Sequence, residues 1–180
     1  MTSSTTRYSS VSITLHWLMF LLIVAVYACI ELREYYPKGS DPRNALKAWH
    51  FTLGLSVLTL VVLRIAARAI YPAPAALSDL PLWQRQLASV THILLYALMI
   101  CMPIAGWVIL SGEAKPVPFW GGLQLPPLIA ENKPLAELVE EVHGTVGNIG
   151  YFLIGLHALG ALAHHYVLKD STLKRMLPGS

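Results

Sequence analysis

Charge is scarce in this sequence. Of its 180 residues only 13% are Asp, Glu, Lys or Arg, whereas 55% are hydrophobic. A soluble domain usually carries about a quarter charged residues, so the shortage excludes a soluble enzyme with a peripheral sheet. The high hydrophobicity also excludes a disordered chain. We therefore expect much of the protein surface to face lipid.

Cysteine and clustered positive charge are scarce as well. Two cysteines, with no CxxC and no CxxCH, exclude a zinc ribbon, a disulfide scaffold and covalent haem attachment. The formal net charge of +3 is small and dispersed, so no nucleic-acid partner is expected. The length fits one integral-membrane domain over residues 1–180.

What the sequence does contain is four stretches without any charged residue, at positions 8–30, 48–63, 86–112 and 142–168. A helix needs about 20 apolar residues to cross the hydrocarbon core. The second stretch reaches that length by continuing past Arg64 and Arg68. We therefore predict an all-α membrane protein, a bundle of four transmembrane helices over roughly 12–32, 46–70, 86–110 and 139–168.

Four crossings place both chain termini on one side of the membrane, here named the terminal side; the other is the opposite side. Seven Lys and Arg residues fall on the terminal side and six on the opposite side. The positive-inside rule therefore favours cytoplasmic termini by a thin margin.

Histidine is frequent for so apolar a chain, and each histidine lies in or at the edge of a predicted span. An ionisable group at membrane depth needs a partner or a function, and neutral imidazole is a common axial ligand of b-type haem. The seven residues are His16, His50, His92, His143, His157, His164 and His165.

The interval from His143 to His157 is informative. Fourteen residues of helix rise about 21 Å and turn through about 1400°, roughly 40° short of four turns. Both rings then face one side of the fourth helix, near opposite membrane faces, as two stacked haems would require. His50 begins the second span level with His143, and His16 begins the first span level with His157. We expect the pairs His50–His143 and His16–His157.

His92 leaves this assignment open, because it begins the third span on the terminal side. Depth alone allows it to replace His16 or His157. Unrelated polar histidines bonded across helices are the alternative, but they would not explain two matched depths. Glycines beside these histidines leave room for a porphyrin, although ordinary helix packing also uses small residues.

Arginines return to the same face of the second helix at terminal-side depth. Arg64 follows His50 by 14 residues and Arg68 follows it by 18. We expect both to bind propionates of the terminal-side haem, with snorkelling to the interface as the alternative. Weaker candidates for the other haem are Arg33, Arg43 and Lys47.

Several motifs make the chain resemble the bacterial cytochrome b561 family, most closely its small four-helix members that oxidise superoxide. They are Leu15–His16–Trp17 and the segments 31–38, 148–157 and 164–178, and the similarity covers about residues 7–178. The resemblance implies two haems b. It also implies the pairing of His16 with His157 and of His50 with His143, which excludes His92 as a ligand.

The resemblance further implies a reaction in the bacterial inner membrane. Superoxide is oxidised to oxygen on the periplasmic side, electrons cross both haems, and ubiquinone is reduced. We expect His164 and Asp170 to supply protons to the quinone. The family also contains haem subunits that serve hydrogenases and dehydrogenases, so an electron-transfer subunit is the alternative function. A haem-free bundle, such as an assembly factor, is the third hypothesis.

Overall fold

Four long helices dominate the protein. The computed structural model describes residues 7–75 and 80–179, and it contains α1 (Ser10–Leu32), α2 (Asp41–Ile70), α3 (Leu82–Gly112) and α4 (Lys133–Tyr166). Each helix is long and apolar enough to cross a membrane. The predicted all-α membrane bundle of four transmembrane helices is confirmed.

Local capping signals, rather than the apolar stretches alone, set the ends of the helices. The Ser9 hydroxyl accepts the Ser12 amide at 3.2 Å at the start of α1. Asn132 caps α4 in the same way, and such caps satisfy amides that have no partner within the helix. α4 therefore begins at Lys133, six residues before the expected start at 139. It ends at Tyr166, two residues before the expected end at 168.

Proline placement explains the early start of α2. Pro42 occupies the first turn of α2, where its missing amide costs nothing. The helix therefore begins at Asp41 rather than at 46. α3 runs through Pro103 without a break in the assigned helix.

Helices that follow each other in the chain pack against each other: α1 on α2, α2 on α3, and α3 on α4. Met19, Val57, Val61 and Met99 form a buried cluster at the centre of the first three helices. The outer faces remain apolar, with Phe152 81% exposed. In a membrane protein such a face is covered by lipid tails rather than by water.

The connection between α3 and α4 contains a small hairpin that the sequence did not suggest. β1 (Val117–Pro118) pairs antiparallel with β2 (Gln124–Leu125). Gly121 and Gly122 adopt positive φ in the turn, a conformation that favours glycine. Val117 packs with residues of α2 and α3, so the hairpin folds back along the bundle at its opposite-side end.

The terminal-side end is closed by the segment that follows α4. The Trp17 indole N–H donates to the carbonyl of Met176 at 2.8 Å. The Arg7 side chain donates to the carbonyl of Leu177, and the amide of Tyr8 donates to the carbonyl of Arg175 at 3.4 Å. The C-terminal segment is thereby held against the start of α1.

Candidate functional site

At the opposite-side end, α2 and α4 bring His50 and His143 together. Their ring centroids are 6.2 Å apart and their planes are inclined by 72°. His50 Nδ1 donates to the carbonyl of Val26 on α1 at 3.1 Å. Such a bond fixes the tautomer and leaves Nε2 unprotonated, which is the state that binds a metal.

A cavity of about 860 Å³ surrounds this pair. Its walls include Gly54 and Gly144, where an added Cβ would meet nothing within 4 Å. Gly106 lies opposite, and an added Cβ there would be 3.8 Å from the His143 ring. The glycines therefore leave open space beside both imidazoles, as a flat macrocycle would require.

The ring separation fits a metal held between two imidazoles. Two rings on opposite sides of one metal have centroids about 6 Å apart, because each side contributes a bond of about 2.0 Å and roughly 1.1 Å from nitrogen to ring centre. The observed 6.2 Å matches that value. The residues present at this end of the bundle therefore fit a haem b with two histidine ligands.

At the terminal-side end three histidines meet. His16 of α1 and His157 of α4 have ring centroids 6.1 Å apart, which again matches bis-imidazole coordination. His92 of α3 lies closer to His157, at 5.2 Å. That separation is nearly 1 Å too short for a metal between the two rings. The geometry thus favours His16 as the partner of His157.

Arg64 points into the bundle rather than to the interface. Its Nε donates to the Tyr96 hydroxyl at 3.2 Å, and its Nη1 donates to the Ser12 carbonyl at 3.3 Å. Arg64 and Arg68 also line a water-sized cavity of about 10 Å³. Within residues 7–75 and 80–179 neither arginine forms a salt bridge with a carboxylate. Guanidinium groups bind carboxylates readily, and these two have no carboxylate partner in the described chain, so this end can accept an anionic group.

Charged residues of the opposite-side end divide into two groups. Arg33 and Lys47 line the cavity of His50 and His143. Arg43 does not line it: its guanidinium bonds Glu34 at 3.0 Å and the carbonyls of Arg33 and Tyr36. Arg43 therefore braces the loop between α1 and α2, and this corrects its expected role beside the haem.

His164 and Asp170 form a close pair at the end of α4. His164 Nδ1 donates to Asp170 Oδ2 at 2.5 Å, and the Thr172 amide donates to Asp170 Oδ1 at 2.8 Å. Burial opposes ionisation of Asp170, but the hydrogen bonds from His164 and Thr172 outweigh it and hold the pKa of this carboxyl below its ordinary value. Asp170 is thus an ionised acceptor that orients the His164 ring.

A polar bridge between α1 and α4 was not expected from the sequence. The Tyr27 hydroxyl donates to the Gly147 carbonyl at 2.9 Å, and the Tyr151 hydroxyl donates to Glu31 at 2.6 Å. The two phenol rings lie 4.4 Å apart. The available signal was the hydroxyl itself, because a tyrosine within an apolar span usually finds a hydrogen-bond partner.

Comparison with known proteins agrees with this architecture. The family model for prokaryotic cytochrome b561 matches residues 7–179. Cytochrome b561 homolog 1 of Escherichia coli (strain K12) is 37% identical over 172 residues, which cover 96% of this chain and 97% of that protein. A protein of Yersinia pestis named probable superoxide oxidase CybB is 39% identical over 173 residues, 96% of each chain. Cytochrome b561 homolog 2 of E. coli is 28% identical over 179 residues, 98% of this chain and 94% of that protein.

The fold, the paired imidazoles and these similarities agree with one another. The chain therefore belongs to the prokaryotic cytochrome b561 family, whose members are membrane proteins that bind haem b and transfer electrons.

Proposed function

We propose that this protein is a di-haem cytochrome b of the bacterial inner membrane that oxidises superoxide to oxygen and reduces ubiquinone. The observation that carries the proposal is the presence of two imidazole pairs, 6.2 Å and 6.1 Å apart, at opposite ends of one bundle. The similarity to a probable superoxide oxidase supports the choice of substrate.

His50 and His143 hold the opposite-side haem in this proposal, and His16 and His157 hold the terminal-side haem. The two proposed ligands on α4 are 14 residues apart, which separates the two imidazole pairs by about 21 Å along the helix axis. His92 packs against His157 at 5.2 Å without being a ligand. The haems supply the one-electron chemistry, so no side chain is needed as acid or base on superoxide.

The opposite side receives superoxide. Arg33, Lys47 and Lys115 line the cavity there, and positive charge near the entrance raises the encounter rate of a small anion. The attraction is local, because Glu31, Glu113 and Glu140 line the same cavity. Superoxide loses one electron and leaves as oxygen without any proton transfer.

The terminal side reduces the quinone, which takes up two electrons and two protons. His164 Nε2 delivers protons there, while Asp170 holds the ring through its 2.5 Å hydrogen bond. Arg64 and Arg68 bind the propionates of the terminal-side haem, because these are the anions that two guanidinium groups without carboxylate partners in the described chain can accept. The thin excess of basic residues favours a cytoplasmic location for this side.

The test is an optical and kinetic one. A detergent-purified sample should show a Soret band and two pyridine-extractable haems per chain. A pulse of superoxide should reduce the haems, and ubiquinone should reoxidise them. One haem or none per chain would refute the proposal. If superoxide left the haems oxidised, superoxide would be excluded as the substrate.

A second function is an electron-transfer subunit that connects a soluble dehydrogenase or hydrogenase to the quinone pool. The observation that favours it is the part of α4 before His143, where Glu137, Glu140 and Glu141 are exposed and form no salt bridge in the described chain. A basic partner would find complementary charge there. Stable co-purification with a catalytic protein would replace the first function by this one.

A further inference from the structure

The two histidine pairs sit in different electrostatic surroundings. The opposite-side cavity is lined by as many acidic as basic side chains, namely Glu31, Glu113, Glu140, Arg33, Lys47 and Lys115. The small terminal-side cavity is lined by Arg64 and Arg68 and by no acidic residue of the described chain. Positive charge is therefore concentrated at one end of the proposed electron path.

Arg64 lies beside the terminal-side pair. Ser12, whose carbonyl accepts from the Arg64 guanidinium, precedes His16 by one turn of α1. Arg64 lies near the end of α2, where a long side chain would ordinarily extend to the headgroups. Contacts with other helices must therefore hold its guanidinium inside the bundle.

Two contacts keep it inside. The Tyr96 hydroxyl on α3 accepts from Nε at 3.2 Å, and the Ser12 carbonyl on α1 accepts from Nη1 at 3.3 Å. The Ser12 carbonyl belongs to the backbone, so any residue at that position offers it. The Tyr96 hydroxyl is the side-chain contribution, and a phenylalanine would lack it.

We propose that Tyr96 is a positioning residue that holds Arg64 against the terminal-side haem, raises the reduction potential of that haem above the other, and so directs electrons to the quinone side. The inference rests on the proposed function, because it requires a haem at each end. Reduction adds one negative charge to a haem, and a guanidinium fixed nearby stabilises the reduced form.

The expected size follows from Coulomb's law. A unit charge about 10 Å from the iron, at an effective dielectric of about 20, changes the reduction equilibrium about tenfold. For a one-electron couple a tenfold change corresponds to about 59 mV. Such a bias suffices to make transfer toward the terminal side favourable without trapping the electron on the opposite-side haem.

The experiment is a potentiometric titration of the purified di-haem protein, followed by its optical spectrum. In Tyr96→Phe the reduction equilibrium constant of the haem with the higher midpoint should fall about threefold, because the guanidinium loses one of its two hydrogen bonds to the protein. Arg64→Gln should lower the reduction equilibrium constant of the same haem about tenfold. Arg64→Lys should lower it less, because the positive charge is kept. The lower midpoint should stay in place in all three variants.

Tyr71→Phe is the matched control. Tyr71 lines the same small cavity as Arg64, but the described chain shows no hydrogen bond between the two side chains. This variant should leave both midpoints unchanged. A Tyr96→Phe protein with unmoved midpoints, with both midpoints moved equally, or with fewer haems than the wild type would overturn the inference. A wild-type protein with fewer than two haems would instead refute the proposed function.

Discussion

The two ends of the bundle use the same imidazole chemistry in unlike settings. At the opposite side, His50 and His143 face a cavity of about 860 Å³ that glycines keep open and a hairpin borders. At the terminal side the ring centroids of His16 and His92 lie 6.1 Å and 5.2 Å from that of His157, and Arg64 and Arg68 line a separate small cavity. One end has a large cavity with balanced charge, and the other has three histidines and two arginines.

The difference teaches that two similar imidazole pairs do not make the two ends of the bundle equivalent. Both pairs have the ring separation expected of one metal between two imidazoles. What distinguishes the two ends is the surroundings: backbone anchoring and mixed charge on one side, fixed guanidinium charge and a histidine–aspartate pair on the other. If each end is an independent site, a change at one end should leave the other unaffected.

The largest effect is expected from the proposed haem ligands. His157→Ala removes one partner of the 6.1 Å pair, so haem content should fall from two to one per chain, as measured by pyridine-haem quantification. His92→Ala is the control, because the 5.2 Å separation from His157 is too short for a shared metal. A one-haem product from His92→Ala would contradict the assignment at this end.

The next effect concerns the polar bridge between α1 and α4, which lies between the two imidazole pairs. A Cβ added at Gly150 would collide with the Tyr27 hydroxyl and lie 3.3 Å from the Leu98 side chain. Gly150→Ala should therefore destabilise the protein by about 1–3 kcal/mol, as overpacking usually does. Thermal unfolding in detergent measures the loss.

Two further variants sharpen that measurement. An added Cβ at Gly155 would meet nothing within 4 Å, so Gly155→Ala should leave the unfolding temperature nearly unchanged. Combining Gly150→Ala with Tyr27→Phe should recover part of the loss, because the colliding oxygen is gone. Equal destabilisation by both alanines would show that the hydroxyl is not the cause.

Each end also depends on a tryptophan that anchors a connecting segment. Trp120 in the hairpin turn donates to the Ser56 hydroxyl at 2.8 Å, and Trp17 donates to the Met176 carbonyl at 2.8 Å. Each Trp→Phe change should cost about 1 kcal/mol of stability. Trp120→Phe should speed loss of the opposite-side haem, and Trp17→Phe loss of the terminal-side haem. Release of the same haem by both variants would break the comparison between the ends.

The bundle could be predicted because lipid imposes a simple rule on composition. Stretches without charge must be spans, and a fixed rise per residue places His143 and His157 at two depths. That His50 faces His143 follows from their common depth in the membrane. The choice between His16 and His92 does not follow from depth. It depends on the distances of α1 and α3 from α4, which the spacing of residues within one helix does not specify.

Contacts between distant segments were harder to predict. The hairpin pairs residues across a Gly-rich turn too short to show a strand pattern. The C-terminal segment reaches Trp17 through backbone carbonyls, which carry no side-chain signature. The inward turn of Arg64 depends on Tyr96 of another helix, so the sequence left binding and snorkelling equally open.

The smallest expected effect is a pH dependence confined to the terminal side. The pKa of Asp170 is held below its ordinary value, so its ionised form contributes stability that is fully present above about pH 4. That contribution is lost as the pH falls through the lower pKa of the folded protein. Asp170→Asn should therefore lower the unfolding temperature by about 2 °C at neutral pH and flatten its acid dependence.

The control for this last variant lies at the other end. Glu137 is exposed on α4 before His143 and forms no salt bridge in the described chain, so Glu137→Gln should keep the acid dependence of the wild type. Unfolding temperatures between pH 3 and 7 distinguish the two variants. If the unfolding temperatures of both variants lose the same part of their pH dependence, acid sensitivity is a property of the whole bundle. The histidine–aspartate pair would then not make the terminal side distinct.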